Sequence, residues 1–156
     1  IRSGDVVNIT TQRGAILDNT AAEDDLIFAS TLSMSAYNGI GQPWTNNLNL
    51  NVREINAFNS HANGINIQNR TAFKVGEHGI ANIGTAGVSD LSVTSTGRID
   101  FRLSDYSGRY DLPGFIGNPS GFRTYVIANM SSQDFDSQFG NKTPQLLSSL
   151  VISRPG

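Results

Sequence analysis

Few residues of this chain could carry acid–base chemistry. Asp100 and Arg102 lie two positions apart, the spacing that puts side chains on one face of a β-strand. With Asp18 or Glu54 brought alongside, they would make a set of the kind that cleaves polysaccharide. The same pair fits equally the solvent face of an outer strand, and no catalytic residue is assigned. His61 and His78 are the only histidines; each stands beside Gly or Asn in a turn-like stretch and reads as an exposed loop residue. Asp134 and Asp136 begin like a calcium loop, but Phe139 stands where the turn glycine is required, so no metal site is assigned and no cofactor is expected.

A binding surface is better represented than a catalytic one. Tyr106, Arg109, Tyr110, Phe115 and Phe122 fall close together, with Asp105, Asp111 and Arg123 among them. Flat rings with hydrogen-bonding neighbours stack on sugar faces and fix hydroxyls, and they also anchor protein interfaces. The alternative is a loop that folds back and caps an open end of the core. The single tryptophan, Trp44, follows Pro43 in a loop and is read as closing over the core's edge.

Composition narrows the partners. At 156 residues the chain fits one domain, long enough to bury a sizeable core. Charged residues make up 15% and the net charge is -2, so neither nucleic acid nor an anionic membrane has an electrostatic counterpart. Cysteine is absent, which removes disulfides, thiolate metal sites and cysteine nucleophiles together. No apolar run approaches the roughly 20 residues of a membrane-spanning helix, so membrane insertion is not expected. The chain starts with Ile and ends Arg154-Pro155-Gly156, which reads as a segment of a longer chain with any signal already removed.

The elements that must position these residues are strands. Polarity comes from Asn, Ser, Thr and Gly rather than from Glu, Lys and Gln, a choice that disfavours exposed helices. Val7 and Ile9 alternate with polar residues, and Gly14 to Leu17 resumes after a corner. In residues 26–41, Leu32, Met34 and Ala36 share one face while Ser33 and Ser35 share the other. In residues 46–75, Leu48, Leu50 and Val52 point inward between Asn47, Asn49 and Asn51, followed by Ile55, Ala57, Ile65, Ile67, Phe73 and Val75. Asn at alternating positions disfavours an ordinary strand but suits parallel strands stacked in register, where amides bond above and below. Leu91, Val93, Ile99, Phe101 and Leu103 end the regular part. Glycines at 14, 39, 64, 79 and 97 fit a solenoid whose strands are kept while its corner loops vary. The domain is therefore divided into regular coils at 1–103, an aromatic Gly/Pro-rich loop or insertion at 104–123, and a terminal coil or cap at 124–156. The last part holds a buried strand at 124–130 and a strand or short helix at 145–153.

The stretches LSMSAYNGIG at 32–41, LNLNVREINAF at 48–58, NGINIQN at 63–69 and LSVTSTGRIDF at 91–101 resemble the repeat region of the filamentous-haemagglutinin-type exoproteins, adhesins that bacteria export by two-partner secretion. The likeness covers residues 5–103. The Asn-Pro-Asn signatures of that family's secretion domain are not found, so the likeness is to the repeats alone. It implies an all-β, right-handed parallel β-helix, a secreted cell-surface fibre, and a non-enzymatic role in cell adhesion. Partners would be a receptor or glycan on a host or neighbouring cell, with self-association into fibres. Two alternatives stay open: a carbohydrate-binding or polysaccharide-processing β-helix module for the function, and a β-sandwich for the fold, since alternating strands with Gly turns serve it as well.

Overall fold

The computed structural model describes residues 1–20, 24–42, 46–103, 112–118, 123–131, 133 and 149–153. They form strands β1 (Val6–Thr10), β2 (Ile27–Ala36), β3 (Leu48–Asn59), β4 (Ile65–Asn69), β5 (Phe73–Asn82), β6 (Leu91–Ser95), β7 (Ile99–Asp100), β8 (Arg102–Leu103), β9 (Phe115–Gly117), β10 (Thr124–Asn129) and β11 (Ser149–Ser153). Every pairing among these strands is parallel. Parallel neighbours cannot be joined by a tight hairpin, so successive pairings here require the chain to travel round and return one level on.

The pairings fall into two runs. In one, β1 pairs with the second half of β2, which pairs with the second half of β3, then β5 and then β9. In the other, the first half of β3 pairs with β4, followed by β6, β10 and β11. Strands β2 and β3 are long because each runs through both. The result is an all-β fold with a largely parallel sheet and stacked polar ladders, consistent with a β-helix-like solenoid. An antiparallel sandwich is not formed; among the described residues the one antiparallel contact is the isolated bridge of Gln42 to Asn46.

The alternation seen in the sequence is the burial pattern. Leu48, Leu50, Val52, Ile65 and Ile67 are each no more than 2% exposed, and they join Leu32, Met34, Ile55, Ile80, Leu91, Val93, Ile99 and Val126 in one core. Complete burial of such a side chain contributes about 1.5–3 kcal/mol, whereas an exposed ion pair gives about 0–1 kcal/mol. The core therefore outweighs the ion pairs found on its rim. Val7 and Ile9 are only half-buried, since β1 has a neighbour on one side alone among the described strands.

Of the alternating asparagines, Asn49 and Asn51 bond to polar groups on neighbouring levels, while the amide-on-amide ladder forms elsewhere. Asn49 donates to Asp18 (3.4 Å), and Asn51 accepts from the Thr71 hydroxyl (3.4 Å). The ladder of amide on amide runs through Asn59, Asn82 and Asn118. Asn59 Nδ2 donates to Asn82 Oδ1 at 2.9 Å, and Asn82 Nδ2 to Asn118 Oδ1 at 3.4 Å. All three are buried. An Asn on the wet face can bond to water, but one turned inward must find its partners in the protein, and the level above supplies them. A second ladder climbs the turns: Asn38 Nδ2 donates to the Arg13 carbonyl, and Asn63 Nδ2 to the Asn38 carbonyl.

Other segments depart from expectation. Gly14 to Leu17 forms no strand, only a bridge from Ile16 to Ile40. Within 104–123, Phe115–Gly117 returns to the sheet as β9 and Asn118 joins the ladder. Residues 124–129 form the expected strand, and 149–153 is a strand rather than a helix.

Candidate functional site

The outward positions of β1, β2 and β3 follow from the same alternation: Asn8 and Thr10, Ser33 and Ser35, Asn56 and Phe58. Parallel register aligns them as Asn8–Ser33–Asn56 and Thr10–Ser35–Phe58. Neighbouring levels are about 4.8 Å apart, so hydroxyls and amides recur at that interval across the face. Together with His78 and Gly79 these residues line a cleft of about 330 Å³. Ser33 and Ser35 lie between Asn8 and Thr10 on one side and Asn56 and Phe58 on the other, with His78 and Gly79 beyond.

The His78 wall exists because the sheet is interrupted there. Ile55 pairs with Val75 and Ala57 with Ile80, so Gly76, Glu77, His78 and Gly79 all stand opposite the single residue Asn56. Such bulges re-aim side chains and mark functional sites more often than plain strands do. Asn56 holds this one in place: its Oδ1 accepts the His78 backbone N–H at 2.9 Å while its Nδ2 donates to Ser33 Oγ at 3.2 Å. Gly76 lets the bulge close, because a Cβ there would run into the Asn56 carboxamide. Glu77 and His78 are left exposed. Nothing in the sequence marked this cleft: GEHG reads as an ordinary turn, and only the register shows that it lies within a strand.

Of the residues considered for catalysis, Glu54 and Asp100 fall in one column with Lys74 between them, through the register Glu54–Lys74–Asp100. Both carboxylates are engaged by cations, Glu54 by Lys74 at 3.1 Å and Asp100 by Arg98 at 2.5 Å. Arg102 is exposed on β8, aligned with Phe115. Asp18 lies elsewhere, buried, accepting from the backbone N–H and hydroxyl of Thr20 and from Asn49. The four do not converge. Instead Glu54 and Asp100 belong to an ion-pair column, Arg102 to β8 and Asp18 to a turn.

His61 occupies an exposed turn, where its ring stacks on Tyr37 at 4.4 Å between centroids. His78 belongs to the bulge of β5 rather than to a turn. Among the described residues no group of three or more His, Cys, Asp or Glu side chains could hold a metal, and no helix is long and apolar enough to cross a membrane.

Of the aromatic candidates, Phe115 is half-buried in β9. Tyr106, Arg109, Tyr110 and Phe122 lie outside the described residues, as do Trp44, Asp134 and Asp136. At the border of that segment the Arg123 guanidinium is held above its ordinary range, first by its hydrogen bond to the Tyr125 hydroxyl and then by the charges of Tyr125 and Asp90.

No family model matches the chain, and neither a curated protein nor a solved structure matches it.

Proposed function

We propose that this chain is a non-enzymatic structural and adhesive segment of a secreted bacterial surface fibre, with its coils wound as a right-handed parallel β-helix. The observation that supports this best is the parallel stacking of the strands with a fully internal Asn ladder, Asn59–Asn82–Asn118. Stacking of this kind stiffens a long shaft, since each level pairs with those above and below. The resemblance of residues 5–103 to filamentous-haemagglutinin-type repeats points the same way. The partner is a receptor or glycan on a host or neighbouring cell, and self-association into fibres extends the shaft.

Beads coated with the purified protein should adhere to epithelial or neighbouring bacterial cells, and incubation with polysaccharides should release no new reducing ends. Adhesion no better than that of albumin-coated beads would remove the adhesive role, and polysaccharide turnover would remove the non-enzymatic one. A second reading, a carbohydrate module, is favoured by the hydroxyls and carboxamides set among apolar surface in the Ser33–Ser35 cleft. On that reading turnover or soluble-glycan binding would be the primary activity.

A further inference from the structure

The cleft over Ser33 and Ser35 joins a defined shape to a defined chemistry. Its lining offers hydroxyls from Thr10, Ser33 and Ser35 and carboxamides from Asn8 and Asn56. These groups both donate and accept. Among the described residues it contains no carboxylate, lysine or arginine side chain, so they do not select a charged ligand. Half-buried Phe58 brings an aromatic side chain beside this row of polar groups. That combination fits a sugar ring, whose C–H face packs on an aromatic plane while its edge hydroxyls exchange hydrogen bonds.

A peptide strand is a poorer match. Extended peptides bind sheets by adding to an open edge, where main-chain groups are unpaired. Here β2 is paired to β1 on one side and β3 on the other, so its edges are already taken.

We infer that this cleft is a binding site for a neutral saccharide, with Phe58 as the stacking platform, Ser33, Ser35 and Thr10 as hydroxyl partners, and the Gly76–Gly79 bulge, pinned by Asn56, as the wall that holds the ring in place. The inference deepens the adhesive reading and rests on it for its biological setting. It assigns the glycan contact to the sheet face, whereas the sequence had pointed to Tyr106–Phe122. No bond is made or broken in the site.

The test is binding of the whole chain to an array of neutral and sulfated oligosaccharides, followed by calorimetry with the best neutral ligand. Neutral oligosaccharides should bind. Phe58→Ala should weaken binding about tenfold, and Ser35→Tyr, which fills the floor, should abolish it while circular dichroism and the unfolding midpoint stay near those of the parent. Tyr106→Ala and Tyr110→Ala should leave it unchanged. Because Phe58→Ala removes a half-buried ring, the Ser35→Tyr result decides the matter if that variant is destabilised. Binding of sulfated ligands or peptides only, or neutral-glycan binding that survives Ser35→Tyr, overturns the assignment. Neutral-glycan binding lost on Tyr106→Ala overturns it too but leaves the adhesive reading intact. Saccharide binding through the cleft by a protein whose beads do not adhere to cells would sustain the site and remove the adhesive reading.

Discussion

Asn82 accepts a hydrogen bond from the carboxamide of Asn59 at 2.9 Å, and neither residue exposes any measurable surface. The pair is tied into the chain at both ends. Asn59 Oδ1 accepts from Gly39 N–H at 2.7 Å, and Asn82 Nδ2 donates to the Ser89 carbonyl at 2.7 Å. The two side chains thus serve several backbone segments at once.

Replacing Asn82 by Ala should cost about 2–4 kcal/mol, because it leaves several buried polar groups unmatched at once. Asn82→Asp should cost more at neutral pH. It would bury a carboxylate facing the Ser89 carbonyl, where a donor is needed. Urea unfolding followed by fluorescence measures both, and a loss under 1 kcal/mol for either would mean that water replaces the ladder.

Gly64 follows Asn63 in a turn where both residues have positive φ, 65° and 66° respectively. A Cβ on Gly64 would collide with the Asp90 carbonyl of the next level. Gly64→Ala should therefore lower stability by more than the roughly 1 kcal/mol ascribed to the backbone conformation alone. Gly4→Ala, with open space around it, should change it by less than about 0.5 kcal/mol. Thermal unfolding of the two variants side by side is the check, and equal midpoints would refute the close approach.

Glu54 and Lys74 pair at 3.1 Å, but 63% of the Lys74 side chain is accessible. Lys74→Ala should cost no more than about 1 kcal/mol, and the difference should shrink in 0.5 M salt. Asp100→Asn should likewise leave both folding and glycan binding unaltered. A loss of either function in Asp100→Asn would return the Glu54–Asp100 column to consideration as a site.

Asn56→Ala should free the His78 amide and raise its hydrogen-exchange rate by about tenfold or more, while the core strands β2 and β3 keep their protection. The unfolding free energy should fall by about 1–2 kcal/mol. If the His78 amide stays protected, the bulge is held by something other than the Asn56 carboxamide.

Much of the core was legible because burial in a strand has period two: Leu32, Met34, Leu48, Leu50, Val52, Ile65 and Ile67 could be assigned inward from alternation alone. Of the glycines at 14, 39, 64, 79 and 97, read as corners of variable length, Gly14, Gly39, Gly64 and Gly97 lie between strands, whereas Gly79 lies within β5 at its bulge. What stayed hidden depends on which residues lie one level apart. Asn59, Asn82 and Asn118 are separated by unequal lengths of chain, so no period exposes them. Asn47, Asn49 and Asn51 attracted notice because they alternate, yet that alternation turns them away from the site of the ladder or toward other partners. The cleft was hidden for the same reason. Ser33, Asn8 and Asn56 are unremarkable polar residues until the register sets them side by side, and His78 reads as a loop residue until Ile55–Val75 and Ala57–Ile80 are seen to bracket it.

The unequal steps of the Asn ladder have a further consequence. Asn82 follows Asn59 by 23 residues and Asn118 follows Asn82 by 36, yet each step rises by a single level. The molecule keeps its phase by storey and not by residue count, so the corners can lengthen or shorten without dislocating the floors above. Such a scaffold can trade one corner sequence for another, and with it one surface for another, while the inner staircase of amides stays in place.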